Sequence, residues 1–270
     1  MLSILLIGYG PVAGYVAERL GADPDVRVAG ILARPGREEA ARATLTRGGD
    51  ATAKVWTTVE SIDLSAVDLV ADCSGYAGLA EHGPMLLTAG LDILSLATAA
   101  LADPLLVERL ETAARAGRAR LELAPGSIAG IDALSAARVG GLDLVTYTAR
   151  KPPAAWKGTR AATVLDLGEI EKPTEHFRGP ARDAVRHYSR NAHVAAMVAL
   201  AGLGLDETTA VLIADPGLDQ DRHEVSAAGA FGRMLLTLDC GLLPRSTKSS
   251  SLAAMSLVRA IQRRAYPITY

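Results

Sequence analysis

A glycine-containing turn between an aliphatic segment and a helix is the feature that most limits how this chain can fold. Residues 4–7 are all aliphatic, and Gly8, Gly10 and the small residue Ala13 follow them before a helical stretch at 15–20. Gly8 permits a tight turn out of a strand, and Gly10 lets the backbone approach a pyrophosphate. Ala13 allows the helix to pack closely on the strand, and the helix then presents free N–H groups to the phosphates.

The pattern predicts a nucleotide-binding loop, although a glycine-rich turn without a ligand would have the same residues. The elements on either side, a strand before and a helix after, favour the nucleotide. The residues expected to bind it are Gly8, Gly10, Pro11, Val12 and Ala13.

Strand-like and helical segments alternate through the first half of the chain. Predicted strands cover residues 3–7, 26–32, 54–57, 68–73, 92–96 and 120–123, and the predicted helices include 38–46, 78–88 and 104–116. Such alternation indicates a parallel sheet with helices on both faces. We therefore expect an α/β, Rossmann-type, doubly wound domain over residues 1–124.

The alternation ends near residue 124, and a different pattern follows. Predicted strands cover residues 142–150, 162–167, 209–214, 222–228 and 233–238, and predicted helices cover 191–203 and 249–263. The last three strands alternate as antiparallel strands do. We expect a second, α+β domain over residues 125–245, and we expect the last segment, 246–270, to pack back on the first domain as a helix.

Composition excludes several classes of partner. The net charge is −2 and aromatic residues make up 4% of the chain, so neither a basic field nor a base-stacking surface for nucleic acid is expected. Uninterrupted apolar runs are too short to span a membrane. Cys73 and Cys240 lack the spacing of a metal site, and two distant thiols favour a reduced, cytoplasmic protein.

The end of the second predicted strand bears on which dinucleotide is bound. NAD-binding folds place there an acidic residue that binds the ribose 2′-hydroxyl. Here residues 26–32 are followed by Ala33, Arg34 and, slightly later, Arg37, without a carboxylate at that point. Guanidinium groups suit the 2′-phosphate of NADP, and two solvated surface arginines are the alternative. We expect NADP to be accepted, with NAD as the other cofactor.

Ser74 and Gly75 follow a buried strand predicted around residues 67–71. Ligands of such sheets bind at the carboxyl ends of the strands, so Ser74 is a candidate cofactor contact. An ordinary turn from strand to helix is the alternative.

Histidine is suited to moving a proton near neutral pH, as hydride transfer commonly requires. The chain has five histidines: His82, His176, His187, His193 and His223. The first three are predicted to lie on the surface. His193 begins an apolar helix after Asn191, a candidate N-cap. His223 follows the polar loop 215–222 and opens a strand, which makes it the best candidate for a catalytic residue.

Short motifs recur in a specific order and spacing along the chain. They occupy residues 8–13, 100–103, 125–132, 150–153, 191–196, 200–206 and 214–216, then His223 and residues 248–250. Together they resemble the L-aspartate dehydrogenase family over nearly the whole chain. The resemblance implies reversible, NAD(P)-dependent oxidation of L-aspartate to iminosuccinate, which in reverse is reductive amination of oxaloacetate with ammonia. It also implies a dimer or larger oligomer through the second domain.

The resemblance further implies roles for individual residues. His223 matches the catalytic histidine of the family, and Ser127 and His193 match positions assigned to the cofactor. The two carboxylates of the substrate need cationic or N–H partners, for which Lys151, Lys248 and the helix start near Asn191 are candidates. For both lysines a solvated surface position is the alternative.

Several positions depart from the family pattern. The family usually has asparagine where this chain has His193 and Asp221, and threonine where it has Met197. The same fold and hydride chemistry acting on another amino acid, keto acid or imine is therefore a second hypothesis. A nucleotide-binding protein without catalysis is a third, against which His223 and Lys151 argue.

Overall fold

The computed structural model describes residues 1–50, 52–188, 193–244, 246 and 249–269. The chain forms two compact units. Unit 1 comprises Met1–Gly126 together with Leu242–Tyr270, and unit 2 comprises Ser127–Gly241. The chain thus leaves unit 1 once, builds unit 2 from a continuous segment, and returns to unit 1.

Unit 1 contains a six-stranded parallel sheet. Its strands are β1 (Leu2–Ile7), β2 (Val26–Leu32), β3 (Lys54–Trp56), β4 (Leu69–Asp72), β5 (Asp92–Ser95) and β6 (Leu121–Leu123). The helices between them are α1 (Pro11–Gly21), α2 (Glu38–Leu45), α3 (Tyr76–Thr88) and α4 (Pro104–Gly117). The strand order is β3-β2-β1-β4-β5-β6. The order reverses at β1, which is the topological switch point of a doubly wound sheet, so the predicted Rossmann-type fold is confirmed.

Unit 2 contains a five-stranded mixed sheet in the order β11-β10-β7-β9-β8. These strands are β7 (Leu142–Lys151), β8 (Thr174–Pro180), β9 (Thr209–Ala214), β10 (Arg222–Gly229) and β11 (Gly232–Asp239). The helices are α5 (Ile131–Gly140), α6 (Ala161–Val164), α7 (Ala181–His187) and α8 (His193–Ala201). Among its described strands only β7 and β9 pair in parallel, which gives the predicted α+β character.

The last helix, α9 (Ser251–Ala265), belongs to unit 1 and contacts α1. Its apolar residues Leu257 and Ile261 join the cluster that contains Ile4 and Leu20. The other face of β1 supplies Leu5 and Ile7 to a second cluster with α3 and α4. Because β1 is covered on both faces, its buried residues 4–7 are all aliphatic, and each fully buried side chain contributes about 1.5–3 kcal/mol.

The sheet of unit 2 is covered on one face. Alternate residues of β7, Val145, Tyr147 and Ala149, are fully buried, whereas Leu144 is half exposed. Successive strand residues point to opposite faces, so this alternation separates a face packed on α5, α7 and α8 from an open one. No helix in the described part of the chain is both long and apolar enough to cross a membrane.

One strand predicted for unit 2 was wrong, and one strand of its sheet was not predicted. The strand predicted at 162–167 is instead the short helix α6 and a turn, in which the Thr163 hydroxyl donates to the Arg160 carbonyl (2.8 Å) and Leu165 N–H to the Ala161 carbonyl (2.9 Å). The strand that does form, β8, was missed because it lies at a sheet edge. Its polar residues, such as Glu175 and Arg178, do not give an alternating apolar pattern.

Candidate active site

The glycine turn of unit 1 has the geometry that its sequence requires. Gly8 adopts a φ of +99°, and a Cβ placed there would lie 3.2 Å from the carbonyl oxygen of Cys73, so both the backbone conformation and the tight contact disfavour a side chain. A Cβ on Gly10 would meet no described atom within 4 Å, so that backbone is open to a close ligand. The Thr44 hydroxyl holds the turn by donating to the Tyr9 carbonyl (2.9 Å).

The N-terminus of α1 has the features of an anion-binding site. Gly10 is its N-cap, Pro11 occupies its first turn, and no side chain among the described residues accepts its first N–H groups. Ala13 is fully buried, as a small residue packed behind the loop should be. These N–H groups and the positive helix end suit a pyrophosphate, so the residues present fit a dinucleotide cofactor.

A guanidinium lies beside this loop. Nη2 and Nε of Arg34 lie 3.0 and 3.3 Å from the Tyr9 hydroxyl oxygen, and the Arg34 side chain is exposed. Arg37 is also exposed and is the residue from which α2 begins. The end of β2 therefore presents a positive charge, held at the glycine turn by a tyrosine that the sequence did not single out.

Ser74 is hydrogen-bonded to the buried carboxylate of Asp72. The backbone N–H of Ser74 (2.8 Å) and its hydroxyl both donate to Oδ1 of Asp72, while the Ser95 hydroxyl donates to Oδ2 (2.6 Å). Asp72 is fully buried, and burial raises its pKa, against which these hydrogen bonds act. The Ser74 hydroxyl thus fixes the turn that leads through Gly75 into α3.

His223 is the buried centre of the candidate site in unit 2. Its side chain faces the covered side of the sheet, and the residue is 3% exposed. Its Nδ1 lies 2.8 Å from the hydroxyl oxygen of Tyr147, which is fully buried on the neighbouring strand β7. In the register of the sheet His223 pairs with Ala149 and Tyr147 with Val225, so the two side chains are diagonal neighbours on one face.

Lys151 and Asp221 form an ion pair near His223. Nζ of Lys151 lies 2.6 Å from Oδ2 of Asp221 and 5.7 Å from the ring centre of Trp156. Lys151 is the last residue of β7, and Asp221 directly precedes β10. Because β7 and β10 are antiparallel, the end of β7 lies beside the start of β10, and the ion pair connects these two points.

Burial sets the protonation of these groups. Burial, with a smaller contribution from the charge of Lys151, lowers the pKa of His223 from the usual 6.5 to about 4, although Asp221 acts in the opposite direction. Burial also raises the pKa of Tyr147 well above its usual range. At neutral pH the imidazole is therefore uncharged, with one ring nitrogen free as an acceptor, and the phenol keeps its proton.

A second ionic group orders the loop before β10. Arg150 points to the opposite face from Lys151 and lies 3.1 Å from Glu224 and 3.6 Å from Asp215. The backbone N–H of Asp215 donates to the Lys151 carbonyl (2.8 Å), and its Oδ1 accepts the Gly217 N–H (3.0 Å). This carboxylate therefore shapes the turn from which Asp221 emerges.

Of the remaining residues predicted for the site, His193 and Ser127 lie in the described part of unit 2. His193 is an exposed first residue of α8, and the Ser127 carbonyl accepts a weak hydrogen bond from the Cys240 thiol (3.8 Å). Asn191 and Lys248 lie outside the described residues. The described part of the chain contains no group of three or more His, Cys, Asp or Glu side chains able to hold a metal.

Two histidines predicted to lie on the surface do not. His82 is half-buried on α3, and His176 lies on β8 rather than in a loop. The His176 ring centre is 4.4 Å from that of Trp156, its Nδ1 is 3.2 Å from the Tyr188 hydroxyl, and burial lowers its pKa to about 4. His176 is therefore partly buried against the ring of Trp156, although the residues next to it in sequence are polar.

Comparison with known proteins gives consistent matches to both units. Residues 132–264 match the family described as aspartate dehydrogenase, C-terminal, and residues 8–124 match the NAD binding domain of homoserine dehydrogenase. L-aspartate dehydrogenase of Ruegeria pomeroyi is 48% identical over 261 residues, covering 97% of this chain and 92% of that protein. L-aspartate dehydrogenase of Pseudomonas aeruginosa is 44% identical and aligns over 100% of both chains.

Solved structures show the same fold at lower sequence identity. Aspartate dehydrogenase from Thermotoga maritima aligns with a TM-score of 0.78 at 21% identity, over 100% of this chain and 99% of that one. A hyperthermophilic archaeal homoserine dehydrogenase, solved with NADPH, aligns with a TM-score of 0.58 at 13% identity, over 98% of this chain and 97% of that one.

Proposed function

The chain belongs to the L-aspartate dehydrogenase family, and we propose that it oxidises L-aspartate to iminosuccinate with NAD or NADP. In reverse, the same site would form L-aspartate from oxaloacetate and ammonia. The observation that carries the proposal is the buried, uncharged His223, held by Tyr147 and accompanied by a buried cation, Lys151. The family relationship and the fit of the glycine turn to a dinucleotide support the class of reaction.

The chain's own residues would bind the cofactor through backbone and guanidinium groups. Gly8, Gly10, Pro11, Val12 and Ala13 would form the pyrophosphate site, and Arg34 would bind the 2′-phosphate when the cofactor is NADP. Ser74, fixed by Asp72, would support the adjoining turn, and the family resemblance assigns Ser127 and His193 to the cofactor as well. When bound, the nicotinamide supplies the acceptor for the substrate's hydride.

His223 would handle the proton that accompanies hydride loss. As the carbon–nitrogen bond of the substrate becomes an imine, the amine must lose a proton, which Nε2 of His223 can accept directly or through a water. Nε2 is basic only if the ring hydrogen is on Nδ1, where it can be donated to the Tyr147 oxygen. Once it has released that proton to solvent, the same nitrogen can accept one from the water that attacks the imine carbon.

Cationic groups are needed for the two substrate carboxylates. We assign Lys151 to this role because it is a buried cation near His223, and we keep Lys248 and Asn191 as further candidates. Arg150 is less suited, since it points to the opposite face and is paired with two carboxylates.

We further propose a homodimer formed through the open face of the unit 2 sheet. Leu235 is 79% exposed and Leu144 49% exposed, and the sheet register places both on that face. An exposed apolar face of this kind is typical of an interface between subunits. Leu235→Lys should shift the mass measured by light scattering from dimer to monomer, whereas a monomeric wild type would refute the assembly.

We propose a cytoplasmic location, in which both cysteines remain thiols. The partners would be small molecules, an amino acid or a keto acid with ammonia. A net charge of −2 does not favour nucleic acid.

The function is tested by following nicotinamide absorbance with L-aspartate and with a panel of other amino acids, using NAD and NADP in parallel. The reverse assay uses oxaloacetate and other keto acids with ammonia. L-aspartate and oxaloacetate should give the highest kcat/KM. A higher value for another amino acid would establish the second hypothesis, and cofactor binding without any turnover would indicate a non-catalytic protein.

A further inference from the structure

We propose that Asp221 occupies Lys151 in the substrate-free enzyme and yields it to a substrate carboxylate, so that Asp221 sets the affinity of the site for dicarboxylates. The inference rests on the proposed function, because it takes Lys151 as the cation that receives a substrate carboxylate. It makes Asp221 a specificity-determining residue rather than a catalytic one.

The two members of the ion pair differ in their access to solvent. The Lys151 side chain is 7% exposed and the Asp221 side chain 34% exposed, although Nζ and Oδ2 are only 2.6 Å apart. A buried ammonium loses much of its stabilisation without a counter-charge, so Lys151 must be compensated when substrate is absent. The carboxylate, at the more open end of the pair, is the partner that another carboxylate can replace.

The backbone of Asp221 is fixed, so exchange requires only its side chain to turn. The Asp221 carbonyl accepts the Cys240 N–H (2.8 Å), and β10 begins at the next residue. On the other side, the turn that precedes Asp221 is shaped by Asp215. Rotation about the side-chain torsions of Asp221 moves its oxygens away from Lys151 without disturbing the strand that carries His223.

Electrostatics then makes Asp221 and the substrate competitors. Two carboxylates close to one buried ammonium repel each other, and this repulsion is strong where solvent is excluded. The ring of Trp156, 5.7 Å from Nζ, covers one side of the cation and restricts the directions from which a second carboxylate approaches. Asp221 therefore weakens the binding of L-aspartate, and in the substrate-free enzyme its charge balances that of Lys151.

Asp221→Asn tests this, because it keeps the shape of the side chain and removes its charge. The KM for L-aspartate should fall about fivefold or more, and the Kd for succinate, titrated calorimetrically into the enzyme with bound cofactor, should fall in parallel. The kcat should change less than the KM. Asp219→Asn is the matched control, since Asp219 is exposed in the same turn and its substitution makes the same change in net charge.

A double-mutant cycle with Lys151→Met assigns the effect to the pair. In the Lys151→Met background, Asp221→Asn should no longer improve succinate binding. Thermal unfolding and cofactor titration verify that each variant folds, and Asp221→Ser replaces the asparagine variant if it does not. An unchanged or increased Kd for succinate in the Asp221 variants would overturn the inference.

The two proposals can fail separately. If the wild type does not oxidise L-aspartate, the proposed function fails, but the succinate titrations still decide whether Asp221 competes for Lys151. If L-aspartate is oxidised and the Asp221 variants bind succinate no better than the wild type, the function stands and the competition does not exist.

Discussion

The hydroxyl oxygen of Tyr147 lies 2.8 Å from Nδ1 of His223, and both side chains are buried on the same face of one sheet. A hydroxyl can donate to Nδ1 or accept from it, so Tyr147 can partner the ring in either protonation state. The tyrosine therefore orients His223 and influences which ring nitrogen carries the proton.

Tyr147→Phe should lower kcat for L-aspartate oxidation by about 10- to 100-fold, a range typical for loss of a group that orients a functional histidine. The KM for the cofactor should be unchanged, because Tyr147 is not part of the glycine turn. Steady-state kinetics of purified variants measures both. Tyr188→Phe removes another hydroxyl that contacts a histidine, His176, and should leave kcat within about twofold. A wild-type kcat for Tyr147→Phe would show that the tyrosine is not needed to orient His223.

His223→Ala should abolish measurable turnover, with kcat reduced by at least about 100-fold, because the proton acceptor is lost. Binding of the reduced cofactors NADPH and NADH, measured by the fluorescence of the nicotinamide, should remain nearly unchanged. His187→Ala, at an exposed position at the end of α7, serves as the control. Wild-type turnover in the His223 variant would refute its proposed role.

Stability should fall as pH is lowered from about 6.5 towards 4. In the unfolded chain His223 takes up a proton near the usual pKa of 6.5, whereas in the native state it does so only near a pKa of about 4. The unfolded state therefore binds more protons in this window, and the native state loses about 2 kcal/mol from this residue between pH 7.5 and 5.

Urea unfolding at pH 7.5 and pH 5 measures this loss. His176, with a pKa also lowered to about 4 by burial, should act in the same direction. His223→Gln should reduce the difference between the two pH values, whereas the exposed His187→Gln should leave it as in the wild type. An equal pH dependence in all three proteins would show that His223 is not buried uncharged in solution.

Arg34→Asp should shift cofactor preference from NADP towards NAD. The guanidinium beside Tyr9 would lose its attraction for a 2′-phosphate, and the new carboxylate would repel it while accepting a ribose hydroxyl. The ratio of kcat/KM for NADP to that for NAD should fall by about tenfold or more. Arg42→Asp, an equal charge change on the exposed side of α2, tests for a general effect, and an unchanged ratio in Arg34→Asp would place this arginine outside the cofactor site.

The sequence predicted best those features that depend on neighbouring residues. The turn at Gly8 and Gly10 requires specific residue types at fixed spacing, so it could be identified before the structure was known. The strand β1 and helix α9 could also be predicted, because burial on one or both faces leaves a periodic apolar pattern.

The contacts that depend on strand register could not be predicted in this way. Tyr147 and His223 are 76 residues apart, and only the pairing of β7 with β10 brings them together. Asp221 and Asp219 belong to the same polar segment, and only the ion pair of Asp221 with Lys151, the last residue of β7, distinguishes it. A polar local sequence likewise hid the burial of His176 behind Trp156.

The return of α9 to unit 1 has a consequence for biosynthesis. Leu257, Val258 and Ile261 complete the same apolar cluster as Ile4 and Leu20, yet the ribosome makes them after all of residues 127–241. Unit 1 is therefore begun first and completed last. Until α9 is synthesised, the apolar surface of β1 and α1 that it covers stays exposed, although all strands of the unit 2 sheet have already been made. During that interval the nascent chain offers an aliphatic surface to chaperones, and loss of only the final helix would leave that surface exposed permanently.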